Sequence, residues 1–206
     1  MTPVPLRFIV EGVHDEHVIG HLLHKNGLKA LDFDFRPKED RNRNKDYLLQ
    51  NLPNLLDPAE ERPVSKFAIV LDAEDGVQSR WRGIRKAINL QLPDEPSPNG
   101  TIIAPNVGIW LMPDNIKAGS IEEFFAALIP PDDLLWQHAH EIVPAVPDGP
   151  RRFLPKQSGK ALVNSWLAWR DPPALPMGKS IKQSTMRHDA ELALRFVGWV
   201  KRLLAE

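Results

Sequence analysis

The chain has 206 residues, with 26 Lys and Arg against 27 Asp and Glu for a formal net charge of −1, and it carries 20 prolines, 12 glycines and no cysteine. The missing thiol excludes a disulfide scaffold, a Cys-ligated zinc finger and cysteine nucleophile chemistry. A hydrophobic fraction of 42% with 26% charged residues marks a globular chain rather than a disordered one, and no apolar run reaches the roughly 18 residues of a membrane span.

The N-terminal stretch MTPVPLRFIVEG lacks the basic-then-apolar layout of a signal peptide, so a cytoplasmic location without a membrane partner is expected. Leu6–Val10 is a short apolar run ending at Glu11-Gly12 and reads as a buried strand. Asp15 to about Lys25 has helical spacing, stopped by Asn26-Gly27. Leu31–Phe35 alternates strictly, as a half-buried edge strand does. A charged loop, Arg36–Lys45, leads to helical spacing over Tyr47–Leu56, which Pro53 should kink or split. Phe67–Leu71 (FAIVL) is the strongest buried strand, and Asp72 ends it. Arg80–Leu90 reads as a helix with Trp81, Ile84 and Ile88 inward. After the loop Pro93–Asn99 come two strands, Thr101–Ala104 and Val107–Met112, then helices over Ile121–Ile129 and Asp132–Val143. An irregular proline-rich crossing, Pro144–Pro155, precedes helices over Lys160–Trp169 and Asp189–Leu204. Trp81, Trp136, Trp166, Trp169 and Trp199 all fall at inward-looking helical positions, where core packing is the default role.

The first 129 residues therefore run β-α-β-α-β-α-β-β-α. Such alternation implies an α/β domain over 1–129, with a mostly parallel sheet and helices on both faces. Residues 130–206 read as an all-helical C-terminal extension packed on it. The charge divides along the same line. Residues 151–206 hold eleven Lys and Arg against four Asp and Glu, a net of +7, which leaves −8 on residues 1–150. The near-zero total conceals an acidic body and a basic tail, an asymmetry relevant to partners.

In open α/β sheets, sites form beyond the carboxyl ends of parallel strands. Three apolar strands here end in carboxylates: Glu11 in IVEG, Asp72 with Glu74 and Asp75 in IVLDAEDG, and Asp114 in IWLMPDN, followed by Glu122 and Glu123. If these strands are neighbours, four to six carboxylates converge, and such a set repels itself unless a cation neutralises it. Oxygen ligands without cysteine select a hard ion, Mg2+ or Mn2+, suited to phosphoryl chemistry. Each acidic residue taken singly has a plainer reading as a turn or cap residue. Glu123 fits the third position of a capping box, Ser120-x-x-Glu123, which leaves Glu122 free to reach the site.

These residues resemble the Toprim fold, the catalytic module of type IA and II topoisomerases, bacterial primases and OLD-family nucleases. The resemblance rests on Glu11-Gly12-Val13-His14-Asp15, which matches the EGxxD pattern after the first strand, and on Asp72-Ala73-Glu74, where Glu replaces the second Asp of an Asp-x-Asp pair. Across about residues 5–129 it implies a Rossmann-like, Toprim-like fold. The wider string VEGxxDEHVIxxLL, LDAEDGxxxRWxxI, GIWLMPDNxxxGSIEEFF and KAxxxxWLAW is similar to an uncharacterised bacterial Toprim-related family. What the resemblance implies is a Mg2+- or Mn2+-dependent nuclease or phosphodiester-transfer enzyme acting on nucleic acid or another phosphoester. Glu11 would serve as general acid/base or bridging ligand, with Asp72 catalytic. The metal ligands would come from Glu11, Asp72, Glu74, Asp75, Asp114 and Glu122. Gly12 would let backbone approach a phosphate, and Lys160 would stabilise developing phosphate charge.

Other readings stay open at this level. The domain can instead be a non-catalytic Toprim-like binding or defence accessory module, or a phosphatase for small phosphoesters. No GxxxxGK[ST] stretch is present, so nucleotide-driven work requires an ATPase partner. His14, His17, His21 and His24 share one helical face, read as a solvated polar face rather than a zinc site. His14 is set apart by its closeness to Glu11.

Overall fold

The structure is a computed structural model that describes residues 6–28, 33–37, 45–56, 66–88, 90–104, 106–183 and 185–205. Its elements are β1 (Leu6–Ile9), α1 (Val13–Lys25), β2 (Phe33–Arg36), α2 (Lys45–Leu55), β3 (Lys66–Asp72), α3 (Val77–Ala87), β4 (Thr101–Ala104), β5 (Val107–Met112), α4 (Ile121–Ala126), α5 (Leu134–Ala145), α6 (Ser158–Ala168), α7 (Met177–Ser180) and α8 (Glu191–Ala205). A single 3-10 turn, Pro155–Gln157, leads into α6.

Five strands form one sheet in the order β2-β1-β3-β5-β4. The β1/β2, β1/β3 and β3/β5 pairs are parallel, and β4 runs antiparallel to β5. The chain is thus an α/β protein with a mostly parallel, Rossmann-like sheet. The FAIVL run is apolar without interruption because both faces of β3 are covered. Phe67, Ile69 and Leu71 join Ile109, Leu111, Trp81 and Ile84 in a core under α2 and α3. Ala68 and Val70 join Phe8, Trp110 and Met112 in a larger core shared with α1, α4, α6 and α8. The period-two alternation of a strand sorts these side chains between the two layers. The helices after residue 130 contribute Trp166, Phe196, Trp199 and Leu203 to the larger core. Among the described residues, no helix is long and apolar enough to cross a membrane.

Several boundaries differ from the sequence reading. Val13 and His14 belong to α1, α3 starts at Val77, and α4 closes after six residues. The last turn of α5 absorbs Pro144, which was expected to open the irregular crossing. Pro53 lies within a continuous α2. Leu31 and Asp32, assigned to the alternating strand, and most of the charged loop after Arg36 lie outside the described residues. The remaining Phe33–Arg36 is indeed an edge strand, paired to β1. Helix α7 was not anticipated, because four residues are too few to show a period. Trp169 corrects the core reading of the tryptophans. It is 39% exposed at the C-cap of α6, where the helix has run past its partner layer, whereas Trp81, Trp110, Trp166 and Trp199 are fully buried.

Gly100, just before β4, and Gly108 in β5 let Trp199 of α8 lie against the sheet. A Cβ on Gly108 would come within 2.9 Å of the Trp199 ring and 3.0 Å of Leu203. Gly108→Ala therefore overpacks a layer with nowhere to relax. It should lower the unfolding free energy by about 1–3 kcal/mol in chemical denaturation, with no change in overall secondary structure.

Candidate functional site

The carboxyl ends of β1 and β3 are adjacent, which brings Glu11 beside Asp72. Glu11 Oε1 accepts from the backbone N–H of Asp72 at 2.9 Å and from Arg80 Nη2 at 3.0 Å. Arg80 Nε donates to the Asp72 carbonyl at 2.6 Å, and its guanidinium lies 3.6 Å from Glu74. The Arg80 side chain is 1% exposed. One guanidinium thus ties together the ends of two strands and the acidic loop between β3 and α3.

Asp15 was part of the EGxxD pattern but was assigned no role from sequence. It is 4% exposed and faces back over Gly12, where a Cβ would come within 2.9 Å of Asp15 Oδ2. The Gly-x-x-Asp spacing therefore has a local cause. Only a residue without a side chain leaves room for a carboxylate folded onto the first turn of α1. Burial, then the charges of Glu11 and Glu122, push Asp15 up from the ordinary 3.8 to about 7, against hydrogen bonds from the backbone of Asp15 and Gly12. Its Oδ1 is buried without a hydrogen-bond partner among the described residues. Asp72 is raised in the same direction by burial, then by Asp15, Glu11 and Glu122. The Ile121 N–H, donating to Asp72 Oδ1 at 3.0 Å, acts against the rise.

That last bond brings in α4. Its N-terminus is held by the expected capping box, with the Ser120 N–H donating to Glu123 Oε2 at 2.8 Å. Ser120 Oγ donates to Glu122 at 2.7 Å, and Glu122 is also 3.6 Å from Lys160 Nζ. Gly159 at the start of α6 sits on Glu123 with no room for a side chain. The basic tail thereby reaches the acidic edge. The resulting cleft, of about 670 Å³, is lined by Glu11, Asp15, Asp72, Glu74, Asp75 and Glu122 together with Lys156 and Lys160.

Of the residues singled out from sequence, Glu11, Asp72, Glu74, Asp75, Glu122 and Lys160 line this cleft, and Asp114 does not. The turn after β5 folds back on the strand, with the Asn115 N–H donating to the Leu111 carbonyl at 2.8 Å and the Leu111 N–H to Asn115 Oδ1 at 2.7 Å. Asp114 Oδ1 is spent on the N–H groups of Ile116 and Lys117, at 2.9 and 2.8 Å, as a turn cap. It borders a separate cavity beside Arg187 and Arg195. His14, exposed at the start of α1, lines the cleft. His17, against which Gly178 of α7 packs, and His24 are exposed and His21 is half-buried, so the histidine face is only partly solvated.

Sequence reasoning missed Arg80 and Asp15. Arg80 did carry a signal. A cation in the first turn of a helix opposes the helix dipole, which argues for a specific anionic partner.

The donor chemistry suits a hard divalent cation: oxygen ligands, mutual repulsion that raises Asp15 and Asp72, and one buried carboxylate oxygen without a partner. Among the described residues, however, no three Asp, Glu or His side chains already stand together as a ligand set. Glu11 and Asp72 instead spend their oxygens on Arg80 and on backbone N–H groups.

Residues 6–205 match the model of the family described as "Protein of unknown function (DUF3226)", and the chain belongs to that family. No curated protein and no solved structure matches it.

A carboxyl held above its unfolded value keeps its proton more tightly when folded. The advantage to folding is full below about pH 4 and is lost as pH rises to about 7 for Asp15. Asp15→Asn, which mimics the neutral form, should raise the melting temperature at pH 8. It should also flatten the decline between pH 4 and 7, as followed by thermal denaturation across that range.

Proposed function

We propose that this member of the DUF3226 family is a Toprim-type, divalent-metal-dependent enzyme that cleaves or transfers phosphodiesters, with nucleic acid as its substrate class. The observation that carries the reading is the convergence of Glu11, Asp15, Asp72 and Glu122 at the carboxyl ends of β1 and β3, with Lys156 and Lys160 lining the same cleft. Burial, and then the charges of their neighbours, raise both Asp15 and Asp72, a perturbation that supports a functional cluster over separate turn and cap carboxylates.

Glu11, Asp72, Glu74 and Glu122 would hold the cation, with Asp15 behind them. The bound ion supplies charge neutralisation at the phosphate, Lewis acidity and activation of water. The remaining work falls to side chains of this chain. Lys160, 59% exposed and reaching in from α6, offers a mobile positive charge to the phosphate oxygens. Arg80, fixed and buried, holds the Glu11 carboxylate in place. Asp72, anchored by the Ile121 N–H, is kept pointing at the N-terminus of α4.

A second reading, a non-catalytic nucleic-acid-binding or accessory module of the same fold, is favoured by one observation. The carboxylates are engaged with Arg80 and backbone rather than gathered as ligands.

Incubation of plasmid and single-stranded substrates with Mg2+ or Mn2+ separates the two. Cleavage is expected for the wild-type chain and should fall by about a hundredfold or more in Glu11→Gln and Asp72→Asn. Lys160→Ala should reduce kcat by about 10²-fold, with a smaller change in KM. Cleavage that persists in both carboxylate variants would overturn the enzyme reading. Binding without any cleavage would favour the accessory module.

A further inference from the structure

A second groove, of about 340 Å³, opens directly off the acidic cleft and shares His14, Glu122 and Lys160 with it. Away from that junction its character changes. Helix α6 supplies Lys160, Asn164 and Leu167, spaced four and three residues apart and therefore stacked along one helical face. The face passes from a cation beside Glu122, through an exposed amide, to a buried aliphatic side chain. The opposite wall is Leu175, Pro176 and Met177.

Both walls are fixed. The Ala174 N–H donates to the Leu167 carbonyl at 2.8 Å, which ties the far wall to the end of α6. Ser180 Oγ donates to the carbonyls of Leu175 and Pro176, and α7 is seated on α1 through Gly178 against His17. The groove is thus a preformed slot, at the lower end of the volume range, from roughly 300 Å³, of small-molecule sites.

A flat, mostly apolar ring with polar edges fits such a slot. Aliphatic walls meet the two faces of a nucleobase. Asn164 offers both a donor and an acceptor to its edge, and Lys160 stands where the attached phosphate would enter the cleft. Among the described residues no Phe, Tyr or Trp lines the slot, and the imidazole of His14 stands only at its junction with the cleft, so the base is held chiefly between aliphatic walls. A base inside an intact duplex is stacked and paired, and it cannot enter a side slot without leaving the helix.

We propose that this groove takes the base of the nucleotide next to the reacting phosphodiester, and that the substrate is accordingly single-stranded or locally unpaired nucleic acid. The inference rests on the phosphodiester reading and narrows its nucleic-acid substrate to unpaired strands.

The test uses the full chain and fluorescein-labelled oligonucleotides, with anisotropy read in Ca2+ and cleavage in Mn2+. Single-stranded oligonucleotide should bind about tenfold or more tighter than the matching blunt duplex. One abasic spacer walked along the strand should weaken binding about tenfold at a single position beside the cleaved bond. In Asn164→Ala, whose side chain is exposed and whose fold is checked by circular dichroism, the penalty at that position should shrink several-fold. Equal binding of duplex and single strand with no sensitive position, alongside normal cleavage, overturns the groove assignment and leaves the phosphodiester reading standing. Absence of cleavage of any nucleic acid with Mg2+ or Mn2+ overturns both.

Discussion

Four carboxylates crowded at one sheet edge, partly withdrawn from water, set the terms for the rest of the molecule. Like charges in such a place raise one another's proton affinity or require a fixed counter-charge. The chain uses both remedies. Asp15 and Asp72 are raised, and Arg80 is buried among them with its nitrogens on Glu11 and the Asp72 carbonyl. Because Arg80 arises from the first turn of α3, that helix is placed by the acidic edge as much as by the apolar layer beneath it.

From that edge the organisation propagates outward through caps. Asp72 receives the Ile121 N–H at the first turn of α4, Glu123 receives the Ser120 N–H, and Gly159 lies on Glu123. Three contacts in series connect the central strand to the start of α6, and so to Lys156 and Lys160. The division of charge between an acidic body and a basic tail is therefore resolved in space. The two signs meet in one cleft, with Lys160 beside Glu122, instead of occupying remote surfaces. A near-zero net charge is here the sum of two unlike parts of the chain.

What could be read from sequence follows from which signals are local. Uninterrupted apolar runs identified β3 and β5, since strands buried on both faces leave no polar alternation to misread, and β1 was legible despite Arg7, which is buried on Asp34 of the neighbouring strand. Ser120-x-x-Glu123 announced its own cap, because the partners are three residues apart. Asp114 failed for the converse reason. Its role is decided by the fold-back around Asn115, and a carboxylate after a strand looks the same whether it turns inward or caps a turn. Asp15 and Arg80 were visible as letters of a motif. Their burial depends on neighbours far away in sequence, such as Glu122 and Glu11. The groove beside the cleft was illegible altogether, since its walls come from α1, α4, α6 and the segment before α7, and no short window holds them together.

One small feature governs how anything reaches this edge. Glu74 and Gly119 exchange a pair of backbone hydrogen bonds, at 2.8 and 2.9 Å, so the loop after β3 and the loop before α4 are sewn into one piece. That piece makes a hard lip along the acidic side of the cleft, which cannot swing open without breaking main-chain bonds. Lys156 and Lys160, which line the same cleft, are by contrast exposed side chains on long flexible stems. The positive charges of the cleft therefore ride on movable stems, while Glu74 stands on backbone that is hydrogen-bonded in place.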